Sequence, residues 1–243
     1  MIQTLSRTFS VNLKKCFSSV CQGLREFIES SYRELTWMYK LNSNTALILA
    51  ADTNKLDEVK YLVKMKFNLD KHDEFGHTAL IAAARYNNLE IVKYLVENGA
   101  NLNITDWGGN PALIVAARNN NLEIIKVLAD NGAYLDQQNP DGSSALIQAV
   151  SNGYFEMVKF LVDKGANLNL KTWWGNTALI LAVHFNYFEN LRYLVDKGAN
   201  LDFINNEGRS ALMIASEKEF LEIVKFLCEH GANLNLQAKA VIN

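Results

Sequence analysis

From about residue 40 to residue 237, apolar and polar positions repeat every 33 residues. The unit is clearest from Asp73 to Thr105, DEFGHTALIAAARYNNLEIVKYLVENGANLNIT. It returns at 106–138, 139–171, 172–204 and 205–237, with a weaker copy at 40–72. Two stretches of each unit carry helical spacing. In the first, Leu47, Leu80, Leu113, Leu146, Leu179 and Leu212 each lie three residues before an alanine (Ala50, Ala83, Ala116, Ala149, Ala182, Ala215), and these small residues let neighbouring helices approach closely. In the second, Leu89, Val92, Leu95 and Val96 place an apolar stripe on one face. Six tandem units without insertions predict a solenoid in which each unit buries its apolar face only against its neighbours.

Local chemistry punctuates the units. Thr45, Thr78, Ser144, Thr177 and Ser210 stand before the first helices, where a hydroxyl accepts an orphan backbone N–H. Pro111 replaces that hydroxyl once, its fixed φ suiting a first helical turn. Gly99, Gly132, Gly165, Gly198 and Gly231 end the second helices in the left-handed conformation. A short extended Asn-Leu-Asn piece or close variant follows, and Gly76, Gly109, Gly142, Gly175 or Gly208 turns the chain into the next unit. The first unit is the weakest, with Ser43 and Lys66 standing where later units have glycine.

The motifs G-x-T-A-L-I-x-A-A, L-E-I-V-K-x-L and G-A-N-L-N resemble the ankyrin repeat across residues 40 to 237. One departure is systematic: the family's usual T-P-L-H is here T-A-L-I. Ile48, Ile81, Ile114, Ile147, Ile180 and Met213 replace the histidine, exchanging a side-chain hydrogen bond for apolar burial. The resemblance implies an all-α ankyrin-repeat solenoid of six helix-turn-helix repeats with short turn hairpins, acting as a non-catalytic protein–protein interaction module. Such proteins usually recognise partners through turn tips and the exposed residues of first helices, which form a concave surface. At the tips this chain places Phe75, His77, Trp107, Asn110, Trp173 and Trp174; at the first-helix ends it places Arg85, Tyr86, Arg118, Asn119, His184 and Phe185. Tryptophan, tyrosine and arginine are the types enriched at binding hot spots. Trp107 reads equally as a lid on the neighbouring turn or as an anchor. Trp173 and Trp174 read as anchors, because adjacent side chains in extended backbone point to opposite sides. Arg85 and Arg118 suit a partner with carboxylates beside apolar patches.

Charge and composition narrow the function further. A net charge of −2 gives no electrostatic reason to expect nucleic acid. Cys16, Cys21 and Cys228 form no disulfide framework, so a reducing, cytoplasmic setting is the simpler expectation. His72, His77, His184 and His230 lack metal-ligand spacing, and no phosphate loop or nucleophile elbow occurs; neither metal, cofactor nor enzymatic activity is expected. Glu90, Glu123, Glu156, Glu189 and Glu222 each precede Lys93, Lys126, Lys159, Arg192 or Lys225 by three positions, the mark of a solvated helix face.

Residues 1–39 stand outside the period. Ile2, Leu5, Phe9, Leu13, Cys16, Phe17, Val20 and Leu24 line one helical face, with Arg7, Lys14 and Arg25 opposite, and no acidic residue precedes Glu26. Three readings fit: a helical cap on the first repeat, a membrane-surface anchor over residues 1–25, or an organelle transit peptide. No apolar run approaches a transmembrane length. In the last repeat Leu221, Val224, Phe226, Leu227 and Cys228 keep the interior pattern, so either the tail 238–243 folds back, this end self-associates, or the chain continues in a longer protein. Ankyrin-like proteins also occur as host-directed factors of bacteria and viruses, which the resemblance adds as an alternative setting.

Overall fold

The computed structural model describes residues 45–236. The chain divides into two compact units, Met1–Ala46 and Leu47–Asn243, and the architecture below is that of the second. The roles expected of residues 1–39, Ser43 and the tail 238–243 lie outside the described residues.

Twelve helices occur among the described residues, in six pairs. The first helices are α1 (Ala46–Asp52), α3 (Ala79–Arg85), α5 (Ala112–Arg118), α7 (Ala145–Ser151), α9 (Ala178–His184) and α11 (Ala211–Glu217). The second helices are α2 (Leu56–Lys64), α4 (Leu89–Glu97), α6 (Leu122–Asp130), α8 (Phe155–Asp163), α10 (Phe188–Asp196) and α12 (Leu221–Glu229). First helices pack on first helices from α3 through α11, and second on second from α2 through α10. Extended pairing among the described residues is limited to two isolated bridges at hairpin bases, Thr105 with Pro111 and Ile204 with Ser210.

A first helix of seven residues is too short to persist alone in water, so packing must hold it. Accordingly every residue from Ala79 to Ala84 is buried, as is every residue from Ala112 to Ala117. The hydroxyls of Thr78, Ser144, Thr177 and Ser210 accept the N–H of Ile81, Ile147, Ile180 and Met213, satisfying one orphan donor in each helix. Pro111 takes the N-cap position itself, not the first turn, with extended backbone and no capping bond. The isoleucines that replace the family's histidine are buried, while Met213 in the last repeat is half-buried.

Second helices bury a slightly different face from the expected one. Ile91, Val92 and Leu95 are buried, whereas Leu89 and Val96 are half-buried; the stripe is centred one position round the helix, against the first helices. Of the five expected Glu–Lys or Glu–Arg pairs, Glu90–Lys93 and Glu123–Lys126 close, at 2.8 and 2.6 Å. Longer-range pairs add to them on this face: Asp130–Lys164 and Asp163–Lys197, each at 2.7 Å, join consecutive repeats.

Polar side chains fix the register between repeats. The Asn-Leu-Asn piece is a turn, not an extended segment: Asn101 Oδ1 accepts the Asn103 N–H at 3.0 Å. Asn103 Oδ1 then accepts the Tyr134 N–H of the next repeat at 2.9 Å. Asp70, Asp136, Asn169 and Asp202 accept in the same way from Asn101, Asn167, Asn200 and Asn233. A second tie uses Asn88 and Asn121, which cap no helix of their own but donate to Ala51 and Ala84 carbonyls at the ends of the preceding first helices.

Two positions break the local rules. Asn190 of α10 is 2 % exposed and neither its amide nitrogen nor its oxygen has a partner. One period away in either direction the same position holds Met157 and Ile223, and beyond them Ile91 and Ile124. An unsatisfied buried polar group costs about 1–3 kcal/mol. Asn190→Ile is therefore expected to raise the thermal midpoint by about 2–4 °C for each kcal/mol gained; an unchanged or lower midpoint would contradict this. Glu219 sits between α11 and α12 at φ +57°, where Asn54, Asn87, Asn120, Gly153 and Asn186 fill the corresponding sites. Glu219→Gly should stabilise the last repeat by about 1 kcal/mol, read as a later urea midpoint.

Candidate functional site

Each hairpin tip is a turn closed by a glycine N–H, from Gly76 to the Asp73 carbonyl at 3.1 Å and from Gly175 to that of Thr172 at 2.8 Å. The residue opening the turn also accepts with its side chain: Asp73, Asp106, Asn139, Thr172 and Asn205 take the N–H four residues on. That closure leaves the two central residues of each tip facing solvent. They are Glu74 and Phe75, Trp107 and Gly108, Pro140 and Asp141, Trp173 and Trp174, then Asn206 and Glu207.

Successive tips are laced together through their backbones. The N–H of Trp107 donates to the Phe75 carbonyl at 3.2 Å, Trp173 to Asp141 at 2.8 Å and Asn206 to Trp174 at 2.9 Å. Between the second and third tips the donor would be residue 140, and Pro140 has none. Close stacking also explains the tip glycines. At Gly76, already at φ +81°, an added Cβ would meet the Trp107 nitrogen at 2.6 Å as well as its ring.

The structure sorts the expected recognition residues into three kinds. Phe75, Trp107, Trp173 and Trp174 are 60, 72, 73 and 67 % exposed. Trp107 covers Gly76, as a lid on the neighbouring turn would, and leaves most of its surface exposed. Trp173 and Trp174 are both exposed because both occupy the centre of a turn, not because extended backbone sends them to opposite sides. Tyr86, Phe185, His184, Arg118 and Asn119 are exposed at the first-helix ends, with Arg85 half-buried. His184 meets the Phe185 ring edge-on at 4.9 Å; partial burial, then Lys218 and Arg209, keep its pKa below the ordinary value.

His77 and Asn110 lie behind this surface and hold it. Arg85 Nη2 donates to His77 Nε2 at 2.6 Å, which leaves Nδ1–H to donate to Asp73 Oδ2 at 3.1 Å. In the next repeat Arg118 Nη2 donates to Asn110 Oδ1 at 2.9 Å, and Asn110 Nδ2 donates to Asp106 Oδ1 at 3.0 Å. Asn110 is 6 % exposed and meets Arg118 rather than solvent. Asn139 reaches back to the same Asn110 oxygen at 3.0 Å, and Asn119 donates to the Arg85 carbonyl at 2.9 Å. Repeats 73–105 and 106–138 thus share one polar network under two arginines. The acceptors Asp73 and Asp106 were not among the residues expected to build the site; their signal was a side-chain oxygen, from Asp, Asn or Thr, recurring at the start of each turn. With one ring nitrogen on Arg85 and the other on Asp73, His77 links the two side chains.

Burial pushes the Asp73 carboxyl up, but the N–H groups of His77 and Phe75 and the His77 ring outweigh it and hold the pKa below 3.8. A depressed carboxyl contributes stability that is complete above its unfolded value of about 3.9 and is lost as pH falls through the lower folded value. Asp73→Asn places at 73 the residue found at 139 and 205. The variant should be less stable than wild type at about pH 6, with the gap closing as pH falls towards about 2; urea midpoints that keep a constant gap would contradict this.

Comparison with known proteins agrees with this geometry. The family model for ankyrin repeats matches in three copies, over residues 19–106, 106–172 and 167–238. Among solved structures, the chain is similar to an ankyrin repeat domain from Acinetobacter baumannii AYE, with 31 % identity and a TM-score of 0.74, over 78 % of this chain and 99 % of that one. It is also similar to the ankyrin repeat protein EF0377, with 29 % identity and a TM-score of 0.72, over 76 % and 98 % of the two chains. No curated protein sequence matches the chain. Ankyrin repeats are in general non-catalytic protein–protein interaction modules, and this chain belongs to the ankyrin-repeat family.

Proposed function

We propose that this chain is a non-catalytic recognition module that presents tip aromatics and first-helix arginines to a partner protein with apolar and acidic patches. The observation that supports it most is the outward exposure of Phe75, Trp107, Trp173 and Trp174 on turns whose backbones are closed and laced to their neighbours. Large aromatics held this way present area without an ordering cost on binding. Arg85 and Arg118, each fixed at the guanidinium by a side chain behind it, add directed donors for carboxylates. Tyr86, Asn119, His184 and Phe185 extend the surface along the first-helix ends. A cytoplasmic location is part of the proposal, since the free and exposed Cys228 suits a reducing compartment. Among the described residues no helix is long and apolar enough to cross a membrane.

The test is affinity capture from a lysate of the source cell with wild type and a Trp107→Ala, Trp173→Ala, Trp174→Ala variant whose helical melt is checked beforehand. The folded variant should lose a captured protein by about tenfold or more, as expected when hot-spot aromatics are truncated. Equal capture by both proteins would show that the tips serve the stack alone.

A further inference from the structure

On the opposite side of the first described repeats, α2 and α4 border a cavity of about 660 Å³. Its walls carry Lys60, Lys64 and Lys66 together with Tyr61, Phe67 and Tyr94, and no carboxylate lines it. A volume of this order holds a small organic molecule. None of the three lysines forms an ion pair among the described residues, whereas Lys93 and Lys126, at the position of Lys60 in the next two repeats, both do.

The repeat period supplies an internal control. Lys64 occupies the position at which the other five repeats carry Glu97, Asp130, Asp163, Asp196 and Glu229. Lys66 occupies that of Gly99, Gly132, Gly165, Gly198 and Gly231, and is held at φ +63°, a conformation that disfavours any side chain other than glycine or asparagine. Another groove between second helices, at α6 and α8, is about 350 Å³ and mixes Lys126, Lys159 and Lys164 with Glu156 and Asp163. A groove between second helices can therefore carry carboxylates among its lysines. The first repeat instead reverses one charge at Lys64 and adds another at Lys66 at a backbone cost.

We propose that this cavity binds a phosphate-bearing anion, with the phosphates among the three ammonium groups and an apolar part against the Phe67 and Tyr94 rings. Lysine offers a compact charge suited to phosphate, and no arginine is present to supply the planar fork that favours a carboxylate. Walls of one sign concentrate such an anion locally. This site is separate from the hairpin tips, so either proposal can fail without the other.

The double substitution Lys64→Glu, Lys66→Gly gives the first repeat the residues of its neighbours, so it should melt no lower than wild type. Full-length wild type and variant are titrated calorimetrically with inorganic tripolyphosphate, and sedimented with phosphatidylcholine vesicles with and without phosphatidylinositol bisphosphate. Saturable tripolyphosphate binding that the variant weakens by about tenfold or more supports a free phosphate ligand. Binding confined to the phosphoinositide vesicles, and weakened equally in the variant, supports the same phosphate chemistry on a lipid headgroup. Arg7, Lys14, Lys15 and Arg25 add positive charge outside the cavity, so the cavity's share of vesicle binding is the part that the variant loses. Equal binding by both proteins in both arms, or none by wild type, would overturn the proposal.

Discussion

Stacking in a fixed 33-residue register is the constraint on which everything else in this molecule depends. No first helix is long enough to stand alone, and each second helix has one apolar face that only neighbouring helices cover. The hydrophobic term supplies the attraction but little direction. Direction comes from polar side chains reaching from one repeat to the next: Asp70, Asn103, Asp136, Asn169 and Asp202 on one loop, and the backbone lacing of the tips on the other. A slip of one residue would break every one of these bonds together. The display of the tip aromatics is a by-product of that lock, since a tip tied to its neighbours has only its two central side chains left to offer.

The parts legible in the sequence are those whose chemistry is local and recurs from repeat to repeat. Threonine before a helix, glycine after one and leucine three residues from alanine each carry their own reason, and repetition removed the ambiguity of any single copy. The tip aromatics were legible for the same reason, as turn centres face water whatever lies around them. What escaped was chemistry between repeats. Asn103 looks like any polar loop residue because its partner, the Tyr134 N–H, lies 31 residues away. His77 and Asn110 were expected among the displayed tip residues but lie behind them, and their ties to Arg85 and Arg118 join the base of a turn to the far end of a helix. The face of the second helix shifted because tertiary packing prefers Ile91 to Leu89, a choice that spacing alone leaves open.

Departures from the period carry more information than the period itself. Asn190 places an unpaired amide where four of the other repeats pack isoleucine or methionine, and Glu219 places an acidic side chain in a left-handed turn. Pro140 removes one rung from the tip lacing. Lys64 and Lys66 differ from these in acting together, on one cavity and with one sign of charge. A repeat scaffold tolerates such changes because each is felt mainly by adjacent units, and that tolerance lets one face acquire a site while the others only hold the stack.

Rigid presentation of solvent-exposed aromatics requires the tip backbones to be ordered before any partner arrives. Amide hydrogen exchange of the free protein, read at Trp107, Trp173 and Asn206, tests this directly, since these three N–H groups make the lacing bonds between tips. Slow exchange at all three, with their side chains still in water, is the expected result. Exchange at the rate of an unstructured peptide would show that the tips are loose loops and would contradict a preformed recognition surface.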